Sequence, residues 1–219
     1  MQMEHACGDD TAAQRRHGSG MTDIPILLLA AGLSSRMGQQ DKLMQIIDGE
    51  PLLRRAARTA QRAAPVIVAL PSAPHPRHDA LESLGVVKVE IPDADEGMNA
   101  SLRGALSHVS TDAPAAMVLL ADLPDITSED LIAVLASVKA HPDNLIWRGS
   151  TANGKPGHPV VFDQSLFQHL RKLTGDAGAQ SVVRAHAGNV HLHALPGQNA
   201  LLDLDTPEDW AAWRAKRGT

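Results

Sequence analysis

Side chains able to do chemistry gather at a few points of the chain. Arg36 and Lys42 stand in a turn rich in glycine and serine, Asp122 directly follows an apolar run, Lys155 and His158 occupy a second glycine-rich stretch, and Asp203 and Asp205 lie in an acidic segment near the carboxyl end. Two cations beside the amides of a small-residue turn suit a polyphosphate, since glycine allows close backbone approach and the cations neutralise phosphate charge. A carboxylate at the end of a buried strand is costly unless a cation or donors satisfy it. A magnesium ion shared with phosphate oxygens would do so, because Mg2+ takes hard oxygen ligands. Asp203 and Asp205 alternate along an extended segment and so face one side, where both are available to the same ion. The same residues have plainer readings, a strand-to-helix loop for the first turn and hydrogen-bonded turns for Asp122 and His158, and the residues alone leave both open.

The elements that must position these groups are legible from periodicity. Ile26 to Ala31 is an unbroken apolar run, suited to a parallel strand covered on both faces. The turn that follows is neither of two common phosphate loops. Gly38 is followed by Gln39, Gln40 and Asp41 before Lys42, which is not GxxxxGK[ST], and Gly32 with Gly38 does not make GxGxxG. Beyond it the spacing predicts a helix over 52–64 and a strand over 65–70. A proline-rich turn, a short helix near 79–84 and a strand over 86–91 come next. A helix carrying Leu102, Ala105, Leu106 and Val109 comes next, then a strand over 115–120 that ends at Asp122. Thr127 and Asp130 read as the cap of a helix running to residue 140. A strand over 144–147 leads into an excursion from the regular sheet, closed by residues 154–162. A helix over 163–173, a turn whose Asp176 caps a helix to residue 187, and a late strand over 189–195 complete the pattern, and Thr206-Pro207 starts a terminal helix packed through Trp210 and Trp213. Alternation of strand and helix indicates a βαβ sheet with crossover helices, an α/β fold.

Composition narrows the function. A formal charge of -5 without a concentrated basic face argues against nucleic-acid binding. Cys7 is the only cysteine, which excludes an internal disulfide and a four-cysteine zinc site. Apolar runs are too short to span a bilayer, so no membrane role is expected and a cytoplasmic setting is. Residues 1–20 read as a flexible leader and 21–219 as a single domain.

Six motifs resemble one family. LLAAGLSSRMGQQDKL at 28–43 resembles the signature LxxGxxxRMGxxK of the MobA-like nucleotidyltransferases, most closely the molybdenum cofactor cytidylyltransferases. EGMNASL at 96–102 resembles the family's EGxxxSL, ADLP at 121–124 its DxP, and GHP at 157–159 its GHP or GNP. TGDAGAQ at 174–180 resembles SGDxGAR, with Gln180 in place of the usual arginine, and DLDTPED at 203–209 resembles DIDTPED or NxNTPED.

The resemblance implies a Rossmann-like three-layer sandwich with a mostly parallel sheet, of the nucleotide-diphospho-sugar transferase type. It implies a triphosphate wrapped by Leu29, Ala30, Ala31, Gly32, Ser35, Arg36 and Lys42, base or ribose contacts from Gly97 and Ser101, and Mg2+ held by Asp122 with Asp203 and Asp205. Arg36, Lys42 and Asp122 are the implied catalytic residues, and Lys155 and His158 the acceptor contacts. The implied reaction moves CMP from CTP to the terminal phosphate of molybdopterin, with pyrophosphate leaving, and a molybdenum hydroxylase is an implied partner. The two alanines before Gly32 match the cytidine branch. A GTP-dependent guanylyltransferase, or another MobA-like transferase, is the alternative within the class, and a non-catalytic nucleotide-binding chaperone for a molybdenum hydroxylase the alternative outside it.

Overall fold

The computed structural model describes residues 23–32 and 40–218. The expected leader, and Ser35 and Arg36, lie outside the described residues. Strand β1 (Ile26–Leu29) is an interior strand of a seven-stranded sheet. It pairs in parallel with β4 (Val66–Pro71) on one side and β6 (Ala115–Leu120) on the other. A two-residue pair, β2 (Ile46–Ile47) with β3 (Glu50–Pro51), forms a separate ribbon after the first turn. Strand β5 (Val87–Ile91) extends the sheet beyond β4.

Beyond β6 the sheet continues through β8 (Pro156–Asp163), β7 (Ile146–Ser150) and β9 (Val190–Ala194). Strand β8 runs antiparallel to both its neighbours, and β9 returns parallel to β7. The glycine-rich stretch expected to leave the sheet is therefore the turn of a β7–β8 hairpin inside it. Its glycines mark a change of strand direction, which composition cannot tell from an excursion.

Both faces of the sheet are covered, which accounts for the apolar strands. Ile26, Leu28 and Ala30 point into one core, Leu27, Leu29 and Ala31 into the other, and the fully buried leucines and isoleucines contribute about 1.5–3 kcal/mol each. Helices α1 (Leu52–Gln61), α4 (Ser128–Ala140) and α7 (Pro207–Arg217) supply the first core. Helices α3 (Met98–Leu106), α5 (Phe167–Leu170) and α6 (Gln180–Ala185) supply the second. The outcome is the three-layer, mostly parallel sandwich that the motifs imply. Thr127 with Asp130 and Thr206 with Asp209 form reciprocal capping boxes at α4 and α7.

One helix and one cap fall elsewhere than expected. The short helix placed near 79–84 is α2 (Pro76–Ala80), started by Pro76 and by the His75 ring, which accepts from the Arg77 amide. Asp176 does not cap α6, whose first turn has no side-chain cap. It caps α3 instead, accepting from the Met98 amide at 2.8 Å. No described helix is long and apolar enough to cross a membrane.

Candidate active site

The carboxyl ends of β1 and β6 open into a cleft of ≈ 490 Å³, the usual ligand position in an open α/β sheet. Lys42, Asp122, Asp203 and Asp205 all line it. Asp122 leaves the end of β6, and the Leu204 amide donates to its carbonyl at 3.2 Å, so the late acidic segment runs beside that strand end. Leu204 is fully buried, and the alternation turns Asp203 and Asp205 to the cleft. Residues as far as 163 positions apart in sequence thus close to one cluster.

Lys42 organises the cluster. Its ammonium donates to Asp122 Oδ2 at 2.6 Å and to Asp205 Oδ1 at 2.5 Å. Burial works against its charge, but the neighbouring Asp122 and Asp205 more than offset that and raise its pKa. Asp203 lies close by, and its pKa is raised, first by burial and then by the charges of Asp122 and Asp205. Asp122 Oδ1 is buried and finds no hydrogen-bond donor among the described residues. The donor set, all carboxylate oxygen with one orphaned atom, fits a hard divalent cation. Among the described residues the carboxylates do not form a closed metal cage. That suits an ion completed by phosphate oxygens and water, as Mg2+ sites commonly are.

The loop between β1 and Lys42 is fastened at both ends by Arg77, a residue that sequence reasoning missed. The Arg77 side chain is 3% exposed. It donates to the carbonyls of Ala30 at 2.7 Å and Gly32 at 2.9 Å, and by Nε and Nη2 to the two oxygens of Asp41, both at 2.7 Å. The fork geometry of a guanidinium allows these bonds at once. Ser35 and Arg36 fall between the fastened points in sequence. Leu29, Ala30 and Gly32 line the cleft, while Ala31 is buried in the core beneath it.

The opposite wall is built from the EGMNASL and TGDAGAQ segments, which lock together. Gly97 has φ +109°, and a Cβ there would stand 2.9 Å from Asp176 Cα, so only glycine fits. Asn99 donates from its side chain to the Thr174 carbonyl at 2.8 Å and Arg103 to the Leu173 carbonyl at 2.6 Å. Gly97 and Ser101 line the cleft as expected.

A second pocket, of ≈ 340 Å³ and mainly apolar, adjoins the first. Leu29, Met98, Leu120, Asp176 and Asp203 are walls of both. His158 lines this second pocket, whereas Lys155 is exposed at the hairpin turn and lines neither. The Nδ1 atom of His158 is buried without a partner among the described residues, and burial, with the charge of Arg148 beside it, pushes its pKa down to about 4. A neutral imidazole results at ordinary pH.

Comparison with known proteins agrees with this arrangement. Residues 26–190 match the MobA-like NTP transferase domain family. The molybdenum cofactor guanylyltransferase of Bradyrhizobium sp. (strain ORS 278) is 32% identical, over 76% of this chain and 78% of its own. The chain belongs to the MobA-like NTP transferase family. This MobA-like transferase is also 28% identical to the purine catabolism protein PucB of Bacillus subtilis (strain 168), over 84% of this chain and 92% of that one. It is 24% identical to the molybdenum cofactor cytidylyltransferase of Escherichia coli (strain K12), over 87% and 95%. Among solved structures it resembles Rv0371C of Mycobacterium tuberculosis H37Rv, a complex with manganese, with a TM-score of 0.73 and 27% identity over 87% of this chain and 97% of that one.

Proposed function

We propose that the protein is a Mg2+-dependent cytidylyltransferase that moves CMP from CTP to the terminal phosphate of molybdopterin in the cytoplasm. The observation that carries this reading is the adjacency of the two pockets: a polar cleft with Lys42 between Asp122 and Asp205 shares its Asp203 wall with an apolar pocket suited to a flat acceptor. An oxygen of the acceptor phosphate attacks the α-phosphorus of the nucleotide, the bond to the β-phosphate oxygen breaks, and pyrophosphate leaves. Asp122, with Asp203 or Asp205, would hold the metal, whose charge offsets that of the phosphates. Lys42 supplies a fixed positive charge where negative charge shifts in the transition state, and Arg36 is assigned the same task. Gly97 and Ser101 face the base or ribose. His158 is assigned to the acceptor side, and Lys155, outside both pockets, is given no contact.

Cytosine is favoured by the two alanines before Gly32. GTP is the second reading, favoured by the 32% identity to a guanylyltransferase. The purine catabolism relative supports a third, a nucleotide-binding chaperone for a molybdenum hydroxylase. One assay separates them: pyrophosphate release with molybdopterin and each of CTP, GTP, ATP and UTP. Release with CTP above the others is expected. Preference for GTP overturns the base assignment, and binding without release overturns the enzymatic one.

A further inference from the structure

The second pocket has one cation among its described walls, and it is not one the motifs supply. Lys155 stays outside, and Gln180, where the resembling motif usually carries an arginine, lines the pocket without charge. Arg148, on β7, lines it instead. Its Nε donates to the Gly157 carbonyl at 2.6 Å, which fixes the guanidinium against the start of β8. No other hydrogen bond and no carboxylate partner engages it among the described residues, although the side chain is half-buried. A partly desolvated guanidinium without an anion is costly to maintain for packing alone, and its planar fork matches phosphate oxygens in pairs. His158 stands beside it with an unpartnered Nδ1, a neutral group that adds no competing charge.

We infer that Arg148 is the anion-holding residue of the acceptor pocket, gripping the phosphate of a second substrate whose flat apolar part lies against Val160, Phe162 and Val183. This rests on the nucleotidyl-transfer reading of the site. The pocket thereby selects acceptors with an anionic group next to a ring system over neutral ones.

The test uses the full chain with Mg2+, CTP and molybdopterin, and compares the wild type with Arg148→Gln and Arg148→Lys. The acceptor KM should rise roughly 10- to 100-fold in Arg148→Gln, the loss of a charge-assisted pair, and less in Arg148→Lys, which keeps the charge but not the fork. The KM for CTP and the thermal midpoint should stay near wild type, which a purely structural role for the Gly157 contact would not allow. An acceptor KM within twofold of wild type in Arg148→Gln overturns the inference while leaving nucleotidyl transfer intact. Should the wild type transfer nothing to molybdopterin, the function reading fails, and titration with phenyl phosphate decides the anion site by itself. Binding lost in Arg148→Gln supports the site, whereas no binding to the wild type, or equal binding to both, overturns it.

Discussion

Arg77 should control nucleotide binding without touching the nucleotide. Its guanidinium ties Asp41 to the carbonyls of Ala30 and Gly32, so weakening the Asp41 contact loosens one tie across this wall of the cleft while the two carbonyl contacts stay. Asp41→Asn keeps the size of the side chain and removes its charge. One bidentate ion pair then becomes at best a single bond from the charged guanidinium to a neutral amide oxygen, and loss of the second bond and of the carboxylate charge costs about 1–3 kcal/mol. Arg77→Met is harsher. It takes the guanidinium away from a carboxylate that is 23% exposed and from two carbonyls, and removing one partner of a largely buried pair costs about 3–5 kcal/mol. The double variant should recover part of that, with a coupling of about 1–3 kcal/mol, since the two side chains are in direct contact. Urea unfolding of the four proteins gives the cycle, and titration with the Mg2+ complexes of CTP and GTP gives the affinities. Asp41→Asn is expected to weaken the preferred nucleotide about tenfold or more while unfolding only slightly earlier, because backbone held less firmly by Arg77 must be ordered again on binding, at about 1–2 kcal/mol per residue fixed. Unchanged nucleotide affinity in Asp41→Asn, or additive effects in the cycle, would refute the clamp.

Lys42→Met should lower pyrophosphate release by about a hundredfold or more, the usual loss when a fixed charge is taken from a transition state, and Asp122→Ala should do the same; near-normal turnover in either would remove the proposed chemistry from this cleft. Gly97→Ala should cost about 2–4 kcal/mol in denaturant unfolding, from a backbone conformation with φ +109° and a Cβ forced to 2.9 Å from Asp176 Cα, and a variant as stable as wild type would show that the two segments can separate cheaply. His158 makes stability pH-dependent with a definite sign. Its folded pKa of about 4 lies below the ordinary value of 6.5, so the unfolded chain takes up the proton first, and stability present above pH 6.5 is lost as pH falls toward 4. Between pH 7 and 5 the loss from this one group is about 2 kcal/mol, and His158→Gln should flatten the unfolding profile by that amount; an unaltered slope would contradict a buried neutral imidazole.

The sheet was legible because its strands are buried on both faces, and an unbroken run such as AAMVLL cannot read as anything half-exposed. The ordered motifs located Lys42, Asp122, Gly97, Ser101 and the late aspartates, and the fold brings all of these to one cleft. The contacts that position them were hidden for a common reason: each joins residues far apart in sequence through a group with no local signature. Arg77 directly follows a proline-rich turn, where an arginine carries no local signal, and its partner Asp41 lies thirty-six positions away. Asp176 stands just ahead of α6 and reads as its cap, yet the closer donor in space is the Met98 amide of α3. The direction of β8 was likewise undetermined, since antiparallel and parallel strands buried on both faces carry the same apolar text.

The misplaced cap says most about function. Asp176 joins two motifs that sequence treats separately, and by capping α3 it fixes the start of the helix that carries Ser101. It is also a wall of both pockets, as is Asp203 on the late acidic segment. The two pockets are therefore divided by residues common to both. A substitution at Asp176 cannot loosen one pocket alone. Asp176→Ala should accordingly raise the KM of nucleotide and acceptor together, through loss of a cap contributing about 1 kcal/mol, whereas Arg148→Gln should raise only the second. Separate behaviour of the two substrates in Asp176→Ala would mean that the shared wall is only a line of contact and that the pockets are organised independently.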